Sequence, residues 1–100
     1  MTVDELEKEM RANAMRFAGL GAVVKFDFAQ DGALYVDGTK APPTVSQQGA
    51  DPRTTIQMTL DNFVKMNQGQ LSPMMAFSTG KLKIQGDMGL AMKLSNMLDD

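Results

Sequence analysis

The hydrophobic period of this chain changes near residue 20, and that first change limits the folds open to it. Val3, Leu6, Met10, Ala14 and Phe17 recur at three- and four-residue spacing. At 100° per residue they fall within roughly 80° of a helical wheel, a single narrow stripe. Beyond Gly19-Leu20-Gly21 the period is two, with Val24, Phe26 and Phe28 alternating with Lys25 and Asp27. That pattern reads as a strand with one buried face. A chain that passes from an amphipathic helix to one-sided strands predicts an α+β domain, an antiparallel-rich sheet with helices gathered on one side.

Local signals divide the rest. Thr2-Val3-Asp4-Glu5 has the form of a capping box and starts the first helix, and Gly19 or Gly21 stops it. Asp31-Gly32 is a hairpin turn into a strand carrying Leu34 and Val36. Asp37-Gly38 makes a second turn, diluted by Ala41-Pro42-Pro43, with Thr44–Ser46 as a short edge strand and Gln47–Pro52 as a loop. Thr55–Leu60 alternates again and is a strand. Asp61 caps a helix with Phe63, Val64 and Met66, closed by Gly69. Ser72-Pro73 precedes a short helix over Met74–Ser78. Lys81–Gln85 is a strand with Leu82 and Ile84 on one face, and Met88–Leu98 is the final helix. One hundred residues suit a single domain, 1–100.

Composition removes whole classes of chemistry. There is no cysteine and no histidine, so thiolate sites, the usual zinc ligands and the usual general base near neutral pH are all absent. The serine hydroxyls have no imidazole to activate them, and the paired carboxylates Asp4-Glu5 and Asp99-Asp100 sit at the ends of the sequence. No catalytic site, metal site or cofactor is expected, and the chain is read as a non-enzyme. A formal net charge of -2 with interspersed signs argues against nucleic acid as a partner. The acidic N-terminal residues lack the features of a signal peptide, and no run approaches the ~20 apolar residues of a membrane span, so the expected location is the cytoplasm. Lys81, Lys83 and Lys93 are too few to hold a membrane at about 1 kcal/mol each, although transient contact is compatible with them. Gly86-Asp87-Met88-Gly89 is read as a turn with a capping Asp87 and not as a phosphate cradle, since Asp87 stands where an anion would bind.

Two features remain. Ten of the residues are methionine, a side chain suited to adaptable apolar surfaces. In the last helix Met88, Leu90, Ala91, Met92, Leu94, Met97 and Leu98 spread over about 220°, well beyond the ~100° needed to rest on a sheet. The excess must meet something else: another helix, a partner chain, a membrane or a bound ligand.

The run Gly80-Lys-Leu-Lys-Ile-Gln-Gly-Asp-Met-Gly-Leu-Ala-Met-Lys-Leu94 closely resembles the sterol carrier protein 2-like (sterol-binding domain) family. Thr55-Ile56-Gln57-Met58, Phe63, Met66 and Gly69–Phe77 are also similar to its strand, helix and connecting stretch. The resemblance implies a five-stranded, mostly antiparallel sheet with helices on one face, enclosing an apolar tunnel. It implies a lipid ligand (fatty acid, acyl-CoA, phospholipid or sterol) with little chemistry of the protein's own. By the same resemblance Leu82 and Ile84 lie under the lipid, and Met88, Leu90, Met92 and Leu94 lie over it. Phe63, Met66, Met75 and Phe77 close the side, with Phe26, Ile56 and Met58 completing the lining. Asp87 stands where the family usually has Asn and keeps the capping role, and the eukaryotic peroxisomal tail is lacking. A stand-alone protein handling fatty acyl chains is therefore expected. The alternative is an interaction module, a homodimer or a dock for a lipid-metabolising enzyme, held through the last helix at Leu90 and Leu94.

Overall fold

Thr2 starts the first helix as its sequence requires. In a computed structural model describing residues 1–49 and 51–98, the Thr2 backbone N–H donates to Glu5 Oε1 at 2.9 Å and the Glu5 N–H donates to Thr2 Oγ1 at 3.2 Å. Bonding from the Thr2 backbone, and then from its hydroxyl, holds the Glu5 carboxyl below its ordinary 4.5. Helix α1 runs Val3–Ala12 and buries Leu6 and Met10. The stripe does not continue as α-helix to Phe17. Asn13 ends α1, its side-chain amide donating to Glu9 O at 3.1 Å, and Ala14–Phe17 is a 3-10 turn. An Asn side chain competes for backbone partners and favours such breaks. Phe17 still reaches the core, fully buried.

The strands are β1 (Val23–Asp27), β2 (Ala33–Asp37), β3 (Thr44–Ser46), β4 (Thr54–Met58) and β5 (Leu82–Gly86), in the sheet order β3-β2-β1-β4-β5. Three neighbouring pairs are antiparallel and β1–β4 is parallel, so the sheet is mixed but mostly antiparallel. The β1–β2 reversal is wider than a two-residue turn. Ala29–Asp31 forms a 3-10 turn, with the Ala29 N–H donating to Asp27 Oδ1 at 2.9 Å. Gly32 supplies the positive φ of 102° that closes it. Within the expected Gln47–Pro52 loop, Ala50 lies outside the described residues, as does the Asp99-Asp100 pair.

Helix α2 spans Leu60–Asn67, and its cap is Thr59 instead of Asp61: Thr59 Oγ1 accepts from the Asn62 N–H at 3.1 Å. Leu60 thereby leaves the strand and enters the first helical turn. Helices α3 (Pro73–Ser78) and α4 (Met88–Leu98) follow. Cross-strand rows Leu34–Phe26–Ile56–Ile84 and Val36–Val24–Thr54–Gly86 line the face beneath the helices. Phe26, Phe28 and Phe63 meet above that face, with centroids 4.6 Å apart for Phe26–Phe63 and 5.4 Å for Phe28–Phe63. Tilted rings at this spacing fill volume efficiently. The opposite face carries Lys25, Tyr35, Thr55, Gln57 and Lys83, the expected wet side.

Candidate functional site: an apolar groove at the sheet edge

The entry to α4 is fixed from three directions. Gly86 turns the chain at φ 110°, and Asp87 Oδ1 accepts from the Leu90 N–H at 3.1 Å, capping the helix. Buried Thr54, on the neighbouring strand, donates its hydroxyl to Asp87 O at 2.9 Å. Arg53 Nε lies 3.5 Å from Asp87 Oδ2, an exposed pair. At the far end Arg16 Nη2 donates to Leu98 O at 3.3 Å, satisfying one of the last carbonyls. The Gly-x-x-Gly stretch thus works as turn and cap.

So held, α4 turns Leu90, Ala91, Leu94 and Leu98 into the core. The excess apolar arc points elsewhere. Met88 is 46% exposed and Met92 41%, on the flank facing α3. Helix α3 is built the wrong way round for a simple packing helix. It buries only Ala76, while Met74, Met75 and Phe77 stand in solvent, Phe77 at 45% exposure. Its N-terminal Ser72 makes no side-chain capping bond. Between α3 and α4, floored by Leu82 and Ile84 of edge strand β5, runs a groove of about 60 Å³. Met74, Phe77, Met88 and Met92 form its walls, with Ser72, Ser95 and Asn96 supplying the only polar side chains.

The thirteen residues expected to touch ligand divide between groove and core. Phe77, Leu82, Ile84, Met88 and Met92 converge on the groove. Phe26, Ile56, Met58, Phe63, Met66, Leu90 and Leu94 are buried in the packed core behind it. Met75 is exposed on α3 beside the groove without lining it. Met74, Pro73, Ser95 and Asn96 line the groove although the sequence reading did not single them out. Met74 could have been found: in a helix this short, Met74, Met75, Ala76 and Phe77 cannot all face inward. A second depression, about 640 Å³ and wide open, lies at one end of the sheet. Its rim mixes Asp27 and Asp31 with Lys81 and Lys83, so it has neither an apolar lining nor a single sign of charge. Among the described residues no cluster of three or more metal-ligating side chains occurs, and no helix is long and apolar enough to cross a membrane.

Fold and groove together define a class: small α+β domains in which the edge of a mixed sheet and its covering helices leave an apolar strip exposed. The SCP-2 sterol transfer family matches residues 3–99. Hydroxysteroid dehydrogenase-like protein 2 of Danio rerio is 40% identical over 80 residues, which cover 76% of this chain and 19% of that protein. Its Homo sapiens counterpart is 54% identical over 44 residues, 44% of this chain and 10% of that one. The chain therefore spans a fifth or less of these curated relatives. Among solved structures, the sterol carrier protein domain 2 of Helicoverpa armigera superposes with a TM-score of 0.70 at 27% identity, covering 95% of this chain and 80% of that one. Palmitated SCP2L2 from Aedes aegypti gives 0.77 at 22% identity, covering 100% and 96%. This chain belongs to the SCP-2 sterol transfer family, a family of lipid-binding and lipid-transfer domains.

Proposed function

We propose that this domain carries a fatty acyl chain or a related lipid, without chemistry of its own, by seating it in the groove between β5, α3 and α4. The observation that carries the reading is the outward set of Met74, Phe77, Met88 and Met92 over Leu82 and Ile84. Large apolar side chains left in water and converging on one strip are suited to a lipid, whose burial contributes about 0.8 kcal/mol per methylene. The groove's 60 Å³ is far below the ~300 Å³ of a typical ligand pocket. Uptake therefore requires α3 and α4 to part, drawing buried Leu90, Leu94, Met66 and Phe63 into the lining of a tunnel. Helix α3 is the element to displace on this reading: it buries only Ala76 and is bounded by Gly69 and Gly80, both at positive φ. The Aedes aegypti domain of the same fold is palmitated, which makes palmitate the first ligand to test.

Organic extraction of protein purified from cells, with identification of what comes out, tests the reading directly. Recovery of stoichiometric fatty acid or phospholipid supports it. Repeated extraction of nothing, together with indifference to a fluorescent fatty acid, refutes it. A second reading rests on the length and name of the curated relatives, in which this domain is a small part of dehydrogenase-like proteins: an accessory domain that presents lipid to an enzyme. Unaided transfer of lipid between vesicles separates the two. A dimer held through Leu90 and Leu94 draws no support from their positions, because both side chains lie inside the domain. Its exposed counterparts would be Met88 and Met92.

A further inference from the structure

We infer that the groove methionines form an oxidation site, at which peroxide lowers the domain's capacity for lipid; the inference rests on the carrier reading above. Seven of the ten methionines fall into two populations, with Met1, Met15 and Met97 outside both. Met10, Met58 and Met66 are 3–7% exposed and packed in the core. Met74, Met75, Met88 and Met92 are exposed around one strip of surface, three of them lining the groove itself. A thioether reached by solvent is open to peroxide, while one inside the core is not.

The step is an oxygen-atom transfer. The sulfur lone pair attacks one oxygen of hydrogen peroxide, the O–O bond breaks, and the second oxygen leaves as water after proton transfer. Sulfur loses two electrons and peroxide gains them. The product, methionine sulfoxide, is a polar group that sulfoxide reductases return to the thioether. Where the four methionines stand it can be hydrated, so the fold tolerates it. A lipid laid over it would strip that water and leave the oxygen poorly paired, which disfavours the bound state. A leucine at the same places would offer similar apolar area without this sensitivity.

The test uses the full chain, hydrogen peroxide, peptide mass spectrometry and titration with cis-parinaric acid as a fluorescent fatty acid. Mild peroxide is expected to convert Met74, Met75, Met88 and Met92 before Met10, Met58 and Met66, with the far-UV circular dichroism unchanged. Affinity for the probe should fall about tenfold or more, since one unpaired buried polar group suffices for that factor, and should return on treatment with the reductases. In M74L/M88L/M92L the ratio of affinities before and after peroxide should stay near one, whatever the starting affinity. M15L, altered at an exposed methionine away from the groove, should lose as much as the parent. Unchanged affinity in parent protein carrying sulfoxide at Met88 and Met92 overturns the inference alone, as does equal sensitivity of the triple variant. Failure to take up the probe before any peroxide overturns the carrier reading and the inference with it.

Discussion

Gly86→Ala is the sharpest single test of how α4 is positioned. A Cβ at this glycine would lie 2.6 Å from Arg53 O, 3.0 Å from Thr54 Oγ1 and 3.1 Å from Thr54 Cα. Two costs follow. The backbone φ of 110° is one that residues with side chains rarely adopt, a strain of about 1–3 kcal/mol. The contact adds a second cost, because Arg53 O and Thr54 Cα are main chain and the buried Thr54 hydroxyl is held by its bond to Asp87 O, so none can easily swing aside. The Arg53 N–H donates to Val23 O at 2.8 Å, and Thr54 pairs with Val24 on one side and Gly86 on the other. Overpacking against fixed neighbours costs about 1–3 kcal/mol. A total near 4 kcal/mol lowers the melting temperature by roughly 16–32 °C in a domain of this size. Gly80→Ala is the matched control. Its φ is 77° but nothing lies within 4 Å of the added methyl, so only the conformational cost applies, about 1–2 kcal/mol. Thermal and urea unfolding followed by far-UV circular dichroism measure both variants. If Gly86→Ala is no less stable than Gly80→Ala, the close approach of β5 to Arg53 is not real and the placement of α4 falls with it.

Other expected outcomes test neighbouring parts of the argument. Leu94, fully buried, should cost about 2–5 kcal/mol when cut to Ala, while Met92→Ala, at 41% exposure, should cost no more than about 0.5–1 kcal/mol. Met92→Glu should likewise leave stability nearly intact yet sharply weaken uptake of a fluorescent fatty acid, and normal uptake would remove Met92 from the site. Asp87→Ala should lose about 1 kcal/mol in urea unfolding through the missing cap, whereas Asp87→Asn keeps most of it. Acid should erode stability through Glu5 and Asp37, whose carboxyls are held below their ordinary 4.5 and 3.8, the first by Thr2 and the second by the Thr39 hydroxyl. A lowered folded pKa means the contribution is complete above the ordinary value and disappears as pH falls through the depressed one. Unfolding midpoints should therefore fall below pH 4.5, and less steeply in Glu5→Gln; an unchanged acid slope in that variant would remove the capping box from the account.

Strand pattern was easy to read because alternation and burial coincide: Val24, Phe26, Leu34, Val36 and Ile56 all face the helices. The parallel β1–β4 pair was not legible, since a one-sided strand alternates identically whichever way its neighbour runs. The break at Asn13 was missed because a 3-10 turn still delivers Phe17 to the core, so the stripe survives a change of helix type. The site was half legible. Periodicity finds apolar residues, but it does not say whether Leu90 faces the interior or Met92 the groove when both lie within one broad arc. What separates them is the edge position of β5 and the shortness of α3, both properties of the assembled sheet. The resemblance to the sterol carrier family pointed to β5, α3 and α4, the elements that border the groove, and left the split between groove and core to be found in three dimensions.

The sheet draws its strands from both halves of the chain, but every residue lining the groove lies in one contiguous run, 72–96. That run meets the remaining strands through a single ladder, β4 with β5. If lipid is seated as proposed, this run is a cassette that forms the outer part of the binding surface, and α2 adds Phe63 and Met66 only once the helices part. Grafting the equivalent segment from a relative with a different appetite for lipids would then shift the preference in part, with β3-β2-β1-β4 serving as an unchanged chassis.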